Sequence, residues 1–139
     1  MKPGERLPPD DPREWIRRAR SNLALARSRQ ADVYLEDLCF EAQQAAEKAV
    51  KAVLLHRGIE PPRTHDLGRL LSALEESGEA VPADVKAAVE LTPFAVIGRY
   101  PGPLRAITEE EYEQAVVLAE RTVAWAAERI GEAEPDEEG

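Results

Sequence analysis

The chain has very few of the residues that build disulfide frameworks, metal centres and aromatic cores. Cys39 is its single cysteine, so no disulfide can form within the chain. His56 and His65 are its two histidines, which excludes a multi-histidine metal site, and we expect neither a metal nor a cofactor. Aromatic residues make up 5% of the sequence. This composition favours helices that pack through alanine and leucine.

Long hydrophobic runs and the common phosphate-binding motifs are also missing. No apolar stretch approaches the length of a membrane span or resembles a secretory signal, so we expect a cytoplasmic protein with no membrane partner. A glycine-rich phosphate loop and a serine nucleophile elbow are both absent. The groups left for catalysis are the two histidines, the arginines, the tyrosines and scattered carboxylates.

The charge of the chain is unevenly distributed. The net charge is −9, yet residues 1–30 carry a balance of +4 and residues 107–139 a balance of −9. A protein that binds nucleic acid over its whole surface is usually basic, so any contact with RNA must be local. The basic first helix could follow a phosphate backbone, dock an acidic partner through Arg17, Arg18 and Arg20, pair with the acidic last helix, or simply be solvated.

Hydrophobic spacing and capping signals predict an all-α fold, an up-and-down bundle of four to five antiparallel helices. We expect a flexible arm over residues 1–11, one helical domain over 12–131 and an acidic, disordered tail over 132–139. Val85 and Val89 are predicted to face the core from the fourth helix. The predicted helices cover approximately residues 12–29, 33–57, 65–78, 82–91 and 108–130.

His65 is the histidine with the more promising setting. It lies between Arg63 and Asp66, where a helix begins after a rigid Pro61-Pro62 turn. The N-terminus of a helix attracts anions, and Asp66 could orient the imidazole. The alternative is structural: Thr64 or Asp66 caps the helix while His65 packs against a neighbour.

Two other polar groups have comparable alternatives. Arg99 and Tyr100 lie in a loop stiffened by proline and glycine, where they could face a phosphate or carboxylate. The alternative is that Arg99 pairs with a helix carboxylate such as Glu47 while Tyr100 closes the core.

A polar stripe on the second helix predicts a solvated face, a wet seam between two subunits or the floor of a groove. Its members are Glu41, Gln44, Glu47, Lys48 and Lys51.

Three segments, Ala42–Lys48, Thr64–Leu67 and Arg99–Pro101, together resemble the HEPN family, in particular the branch commonly paired with minimal nucleotidyltransferases. The resemblance implies a helical bundle, a homodimer and a nucleotidyltransferase partner in a toxin–antitoxin-like module. It also implies nucleotide or RNA as a ligand. The candidate ligand-binding residues are then Gln44, Lys48, Arg63, Asp66 and Tyr100.

The ribonucleases of the HEPN family carry an arginine followed about four to six residues later by a histidine, and this sequence departs from that pattern. Arg57 is too far from His65, Arg63 is too close, and no histidine follows Arg99. A subunit that binds a partner nucleotidyltransferase and has no catalytic activity, or only weak activity, is therefore our leading prediction. The alternative is a metal-independent ribonuclease in which His65 deprotonates the 2′-hydroxyl and Arg99 stabilises the phosphorane.

Overall fold

Seven helical segments follow one another in a computed structural model, which describes residues 4–97 and 106–133, apart from the side chain of Ile97. No strand occurs within those ranges, so the prediction of an all-α bundle is confirmed. The long helices are α1 (Pro12–Ala26), α2 (Leu35–His56) and α6 (Glu109–Arg129). The short ones are α3 (Leu67–Glu76), α4 (Ala83–Lys86), a 3-10 helix (Ala87–Leu91) and α5 (Phe94–Ile97).

Local capping chemistry sets where the long helices begin and end. The Asp11 side chain accepts a hydrogen bond from the Arg13 amide at the start of α1. Thr108 and Glu111 form a reciprocal capping box at the start of α6. Gly58 follows α2 with a φ of +76°, a conformation that glycine adopts without steric cost. These signals explain why the helix positions could be predicted from the sequence.

The central helix is α2, which packs against α1, α3, α5 and α6. Five of its twelve buried residues are alanine, so neighbouring helices can approach its backbone closely at those positions. Larger side chains from α1 and α3, such as Ile16 and Leu70, fill the space between the helices and are fully buried. The buried alanines of α2 are Ala42, Ala45, Ala46, Ala49 and Ala52.

The prediction that Val89 faces the core is wrong, because Val89 is 44% exposed. The reason is a change of helix type. The chain becomes a 3-10 helix at Ala87, and a 3-10 helix has three residues per turn instead of 3.6. The buried positions are consequently Val85, Ala88 and Leu91, three residues apart.

A buried carboxylate connects the ends of three helices. Glu79 lies just after α3, with its side chain 6% exposed. Its Oε1 lies 3.4 Å from Nη1 of Arg57, at the end of α2. Its Oε2 lies 3.0 Å from Nη2 of Arg129, the last residue of α6. The two arginines together compensate the charge that folding removes from water.

Residues 7–11 lie against the start of α1. The Leu7 amide donates to Oε1 of Glu14 at 3.1 Å, and the Trp15 indole donates to the Pro9 carbonyl at 2.7 Å. Glu14 is 1% exposed and also accepts a 2.8 Å bond from Arg18. The Leu7 amide is the largest cause of a lowered pKa at Glu14, opposed by burial and supported by Arg18. This carboxylate therefore fixes the chain before α1.

Candidate functional site

The side chain of Glu47 is the centre of a polar cluster on α2. It is 3% exposed and accepts three side-chain hydrogen bonds. Gln43 donates from Nε2 at 3.0 Å and Lys51 from Nζ at 2.9 Å. The third partner is Nδ1 of His65, at 2.8 Å. We call these four residues the Glu47 cluster.

Helical spacing and one loop together build the Glu47 cluster. Gln43, Glu47 and Lys51 are four residues apart on α2, so their side chains line one face. His65 comes from the segment that enters α3. Asp66 caps that helix by accepting from the amides of Gly68 and Arg69, which fixes the position of the preceding residue. Glu47 and Lys51 were visible in the sequence as members of the polar stripe, whereas the contribution of Gln43 and the arrival of His65 beside them were not.

The hydrogen bonds of Glu47 decide its charge. Burial alone would raise the pKa of this carboxyl, but the bonds from Gln43, Lys51 and His65 outweigh burial and lower the pKa below its usual range. Glu47 is therefore ionised at neutral pH and can only accept hydrogen bonds. It follows that Nδ1 of His65 donates to Glu47. The His65 side chain is 51% exposed, so the opposite edge of its ring faces solvent.

The structure also assigns a local role to Asp66. Its Oδ1 caps α3, with the Gly68 amide at 2.9 Å, while Oγ1 of Thr64 accepts from the Asp66 amide at 3.1 Å. The carboxylate that orients His65 is thus Glu47 and not Asp66. His65 contacts a neighbouring helix, α2, through its hydrogen bond to the Glu47 carboxylate.

The rest of the polar stripe joins α2 to α1 within the same chain. Nζ of Lys48 donates to Oδ1 of Asn22 at 2.7 Å, and Nδ2 of Asn22 donates to Glu41 at 2.7 Å. Burial lowers the pKa of Lys48, with Glu41 opposing that change. Gln44 donates to Oε1 of Gln43 at 2.7 Å and so extends the Glu47 cluster. Asn22 was not singled out from the sequence, because an isolated asparagine on a helix gives no signal.

Much of the basic charge on α1 and in the residues just after it also has partners in the same chain. Arg18 pairs with Glu14. Arg27 pairs with Glu120, and Arg29 with Glu109, both on α6. Of the alternatives for this basic segment, contact with the acidic last helix is the one observed for Arg27 and Arg29, which follow α1.

A groove of about 850 Å³ borders the Glu47 cluster. Lys51 belongs to both, and its Nζ lies 5.9 Å from the centre of the Trp15 ring, within range of a cation–π contact. Arg63 lies at the groove, and within the described part of the chain no acidic group forms an ion pair with it. The volume falls in the range of small-molecule sites. Further lining residues are Pro9, Leu55, Ile59 and Pro62.

Two candidate residues, Arg99 and Tyr100, lie outside the described residues, so their convergence with His65 stays a prediction.

Over residues 4–97 and 106–133, no group of three or more metal-ligating side chains is placed to hold a metal ion. Among the helices of the same ranges, none is both long and apolar enough to cross a membrane.

The helix order and the polar cluster define a small all-α bundle whose central helix carries a buried, ion-paired carboxylate. The profile of the HEPN domain matches residues 12–130. The chain therefore belongs to the HEPN family, as the three sequence segments indicated.

Two solved structures resemble the chain over most of its length. ST0689, an archaeal HEPN homologue, is 31% identical with a TM-score of 0.68, over 86% of this chain and 98% of its own. The protein TT1696 from Thermus thermophilus is 32% identical with a TM-score of 0.71, over 85% of this chain and 97% of its own. No curated protein matches the chain.

Proposed function

We propose that the chain is a HEPN-type subunit that binds a minimal nucleotidyltransferase in a toxin–antitoxin-like module and does not itself cleave RNA. One observation carries this proposal: Lys51 and His65 both bond to the buried carboxylate of Glu47. Their positions are fixed, but the charge of Lys51 is offset by Glu47. Such a cluster is suited to a rigid recognition surface and poorly suited to stabilising a phosphorane. The missing arginine–histidine spacing supports the same conclusion.

Co-purification tests this proposal. The chain is co-expressed with a minimal nucleotidyltransferase from the same genome and analysed by size-exclusion chromatography with light scattering. We expect one complex containing both proteins, weakened by His65→Ala. Glu76→Gln, an exposed substitution on α3, is the matched control and should leave the complex intact. Separate elution of the two wild-type proteins at micromolar concentration would contradict the proposal.

We also propose that the chain forms a homodimer, as the family resemblance implies. A stable pair needs on the order of 1,200 Å² or more of total buried surface. Light scattering on the isolated chain should give twice the monomer mass at micromolar concentration. A monomer mass throughout that range would refute the dimer without affecting the nucleotidyltransferase proposal.

A metal-independent ribonuclease is the second candidate, and the 2.8 Å contact between His65 and Glu47 favours it. With Nδ1 donating to Glu47, Nε2 of the neutral ring can accept the proton of a ribose 2′-hydroxyl. The 2′-oxygen then bonds to phosphorus as the 5′-oxygen leaves. The products are a 2′,3′-cyclic phosphate and a 5′-hydroxyl that takes the proton back from the imidazolium. Arg99 is the candidate for stabilising the phosphorane.

An RNA digest separates the two functions. Wild type is compared with His65→Ala and Arg99→Ala, each first checked for folding by circular dichroism. The ribonuclease candidate requires cleavage by wild type that both substitutions abolish. Cleavage that is absent from wild type, or that survives both substitutions, removes it and leaves the binding subunit.

A further inference from the structure

The groove of about 850 Å³ beside the Glu47 cluster has walls that hydrogen bonds within the chain hold in place. One wall is the start of the chain, where the Trp15 indole donates to the Pro9 carbonyl at 2.7 Å. The other is the turn after α2, where the Ile59 amide donates to the Leu54 carbonyl at 2.9 Å. A groove that is already ordered costs little entropy when a ligand binds to it.

Lys51 has hydrogen-bonding capacity that the described chain does not use. Its ammonium group carries three N–H donors, and it donates to Oε2 of Glu47 at 2.9 Å. No other acceptor in residues 4–97 and 106–133 bonds to it. The Lys51 side chain is 13% exposed, so water has limited access to the remaining donors. They are available to an acceptor on a ligand in the groove.

Arg63 supplies a second group of donors to the same groove. It is exposed, and its guanidinium has no hydrogen-bond or ion-pair partner within the described part of the chain. A guanidinium presents its N–H donors as a planar fork that matches the two oxygens of a carboxylate. Lys51 and Arg63 together therefore favour an anionic group on the ligand.

Acidic residues limit how much negative charge this groove accepts. Asp10 and Glu60 also line it, and neither forms an ion pair within the described ranges. Glu47 already offsets the charge of Lys51. A phosphate monoester carries about −1.5 to −2 charges at neutral pH, whereas a carboxylate carries one. The balance of charges at the groove favours the carboxylate.

The rest of the groove surface is apolar and includes an aromatic ring. Trp15 and Ile59 are partly buried and pack against the core. An aromatic ligand ring can stack on the indole in an offset arrangement. The volume of the groove suits a small molecule. The other apolar lining residues are Leu55, Pro61 and Pro62.

We propose that this groove binds a small organic monocarboxylate with an apolar, aromatic body. The carboxylate accepts hydrogen bonds from Lys51 and Arg63, and the body packs against Trp15 and Ile59. Because Lys51 also bonds to Glu47, the ligand touches one member of the Glu47 cluster. Binding at this site does not require a nucleotidyltransferase, so its test and that of the proposed function have independent outcomes.

Three probes with the same rings test the role of ligand charge in the full chain. They are 2-naphthoate, its neutral amide and 2-naphthyl phosphate. Two-dimensional NMR of the ¹⁵N-labelled protein follows the indole N–H groups of its two tryptophans. We expect 2-naphthoate to shift the Trp15 signal, to leave that of Trp125 on α6 unchanged, and to bind at least about tenfold more tightly than the amide. The phosphate should bind no more tightly than the carboxylate.

Several results of these titrations would overturn the proposal. One is the absence of a shift at Trp15, and another is equal affinity for the amide and the carboxylate. Tighter binding of the phosphate would assign the groove to phosphate ligands instead. An N-acetylated peptide ending in phenylalanine that binds at least about tenfold more tightly than 2-naphthoate would assign it to a polypeptide C-terminus.

A pair of arginine variants tests where the carboxylate binds. Arg63→Gln should weaken the binding of 2-naphthoate at least about fivefold, because it removes a charged donor fork. Arg69→Gln is the matched control. Arg69 is also exposed and has no ion-pair partner among the described residues, but it lines a different groove. Its substitution should leave the affinity unchanged, and equal losses in the two variants would reduce the effect to net charge and contradict the proposal.

Discussion

Nδ1 of His65 lies 2.8 Å from Oε1 of Glu47, which connects the segment before α3 to the middle of α2. This bond joins a buried carboxylate to a half-exposed ring. The carboxylate belongs to the interior, and the ring belongs to the surface. The pair therefore links the interior of the bundle to the surface at which we propose that a partner binds.

The first prediction concerns the stability that depends on Glu47. Glu47→Ala removes the acceptor of three hydrogen bonds and should lower the free energy of unfolding by about 3 kcal/mol. His65→Ala should cost only about 1 kcal/mol, because Lys51 and Gln43 still bond to Glu47. Denaturant titration followed by circular dichroism measures both. The exposed control Glu76→Ala should change the value by less than about 0.5 kcal/mol, and a loss at Glu47 no larger than this would contradict the argument.

The second prediction is acid destabilisation through Glu47. Folding lowers the pKa of the Glu47 carboxyl below its ordinary value of 4.5, so this carboxyl binds a proton more tightly in the unfolded chain than in the folded one. The stabilisation is fully present above pH 4.5 and is lost as the pH falls through the lowered pKa. Unfolding free energies measured above and below pH 4.5 should therefore show a smaller loss in Glu47→Gln than in wild type. Parallel curves would show that Glu47 does not contribute to the acid sensitivity.

The third prediction distinguishes the capping role of Asp66 from a ligand-binding role. Asp66→Ala removes the N-cap of α3 and should cost about 1 kcal/mol. Asp66→Asn should be nearly neutral, because asparagine caps equally well without the charge. Thermal unfolding of the two variants decides the matter. Equal destabilisation by both would mean that the negative charge, rather than the cap, is what the fold requires.

The fourth prediction concerns the reactivity of Cys39. Burial raises the pKa of its thiol from 9.0 to about 12, which lowers the thiolate fraction near neutral pH by about a thousandfold. A disulfide reagent such as Ellman's reagent should therefore label the folded protein far more slowly than the protein in guanidinium chloride. Equal rates in the two conditions would mean that Cys39 is accessible in the folded state.

Most of the helical organisation could be predicted because its signals are local. The Asp11 cap and the Thr108–Glu111 capping box predict where α1 and α6 begin, and Gly58 predicts where α2 ends. Val89 shows the limit of such reasoning. Nothing in its immediate sequence distinguishes a period of 3.6 from a period of three, so the 3-10 helix exposed a residue that was expected in the core.

The candidate site was predictable only in part, because its contacts join distant parts of the chain. Glu47 and Lys51 were recognisable as members of a polar stripe. His65 was recognisable as a residue at a helix start. Their contact spans eighteen residues and depends on how α3 packs against α2, which the spacing of polar residues does not encode.

The ion pairs of Glu79 give the last residues of α6 a structural role that their burial does not show. The fully buried positions of this helix end at Ala127, while Ile130, just after the helix, is partly buried and packs against the core. A chain trimmed after Ala127 would lose both this contact and Arg129, leaving Arg57 as the one described cation beside a buried carboxylate. Electrostatics and packing therefore require the same three residues beyond Ala127.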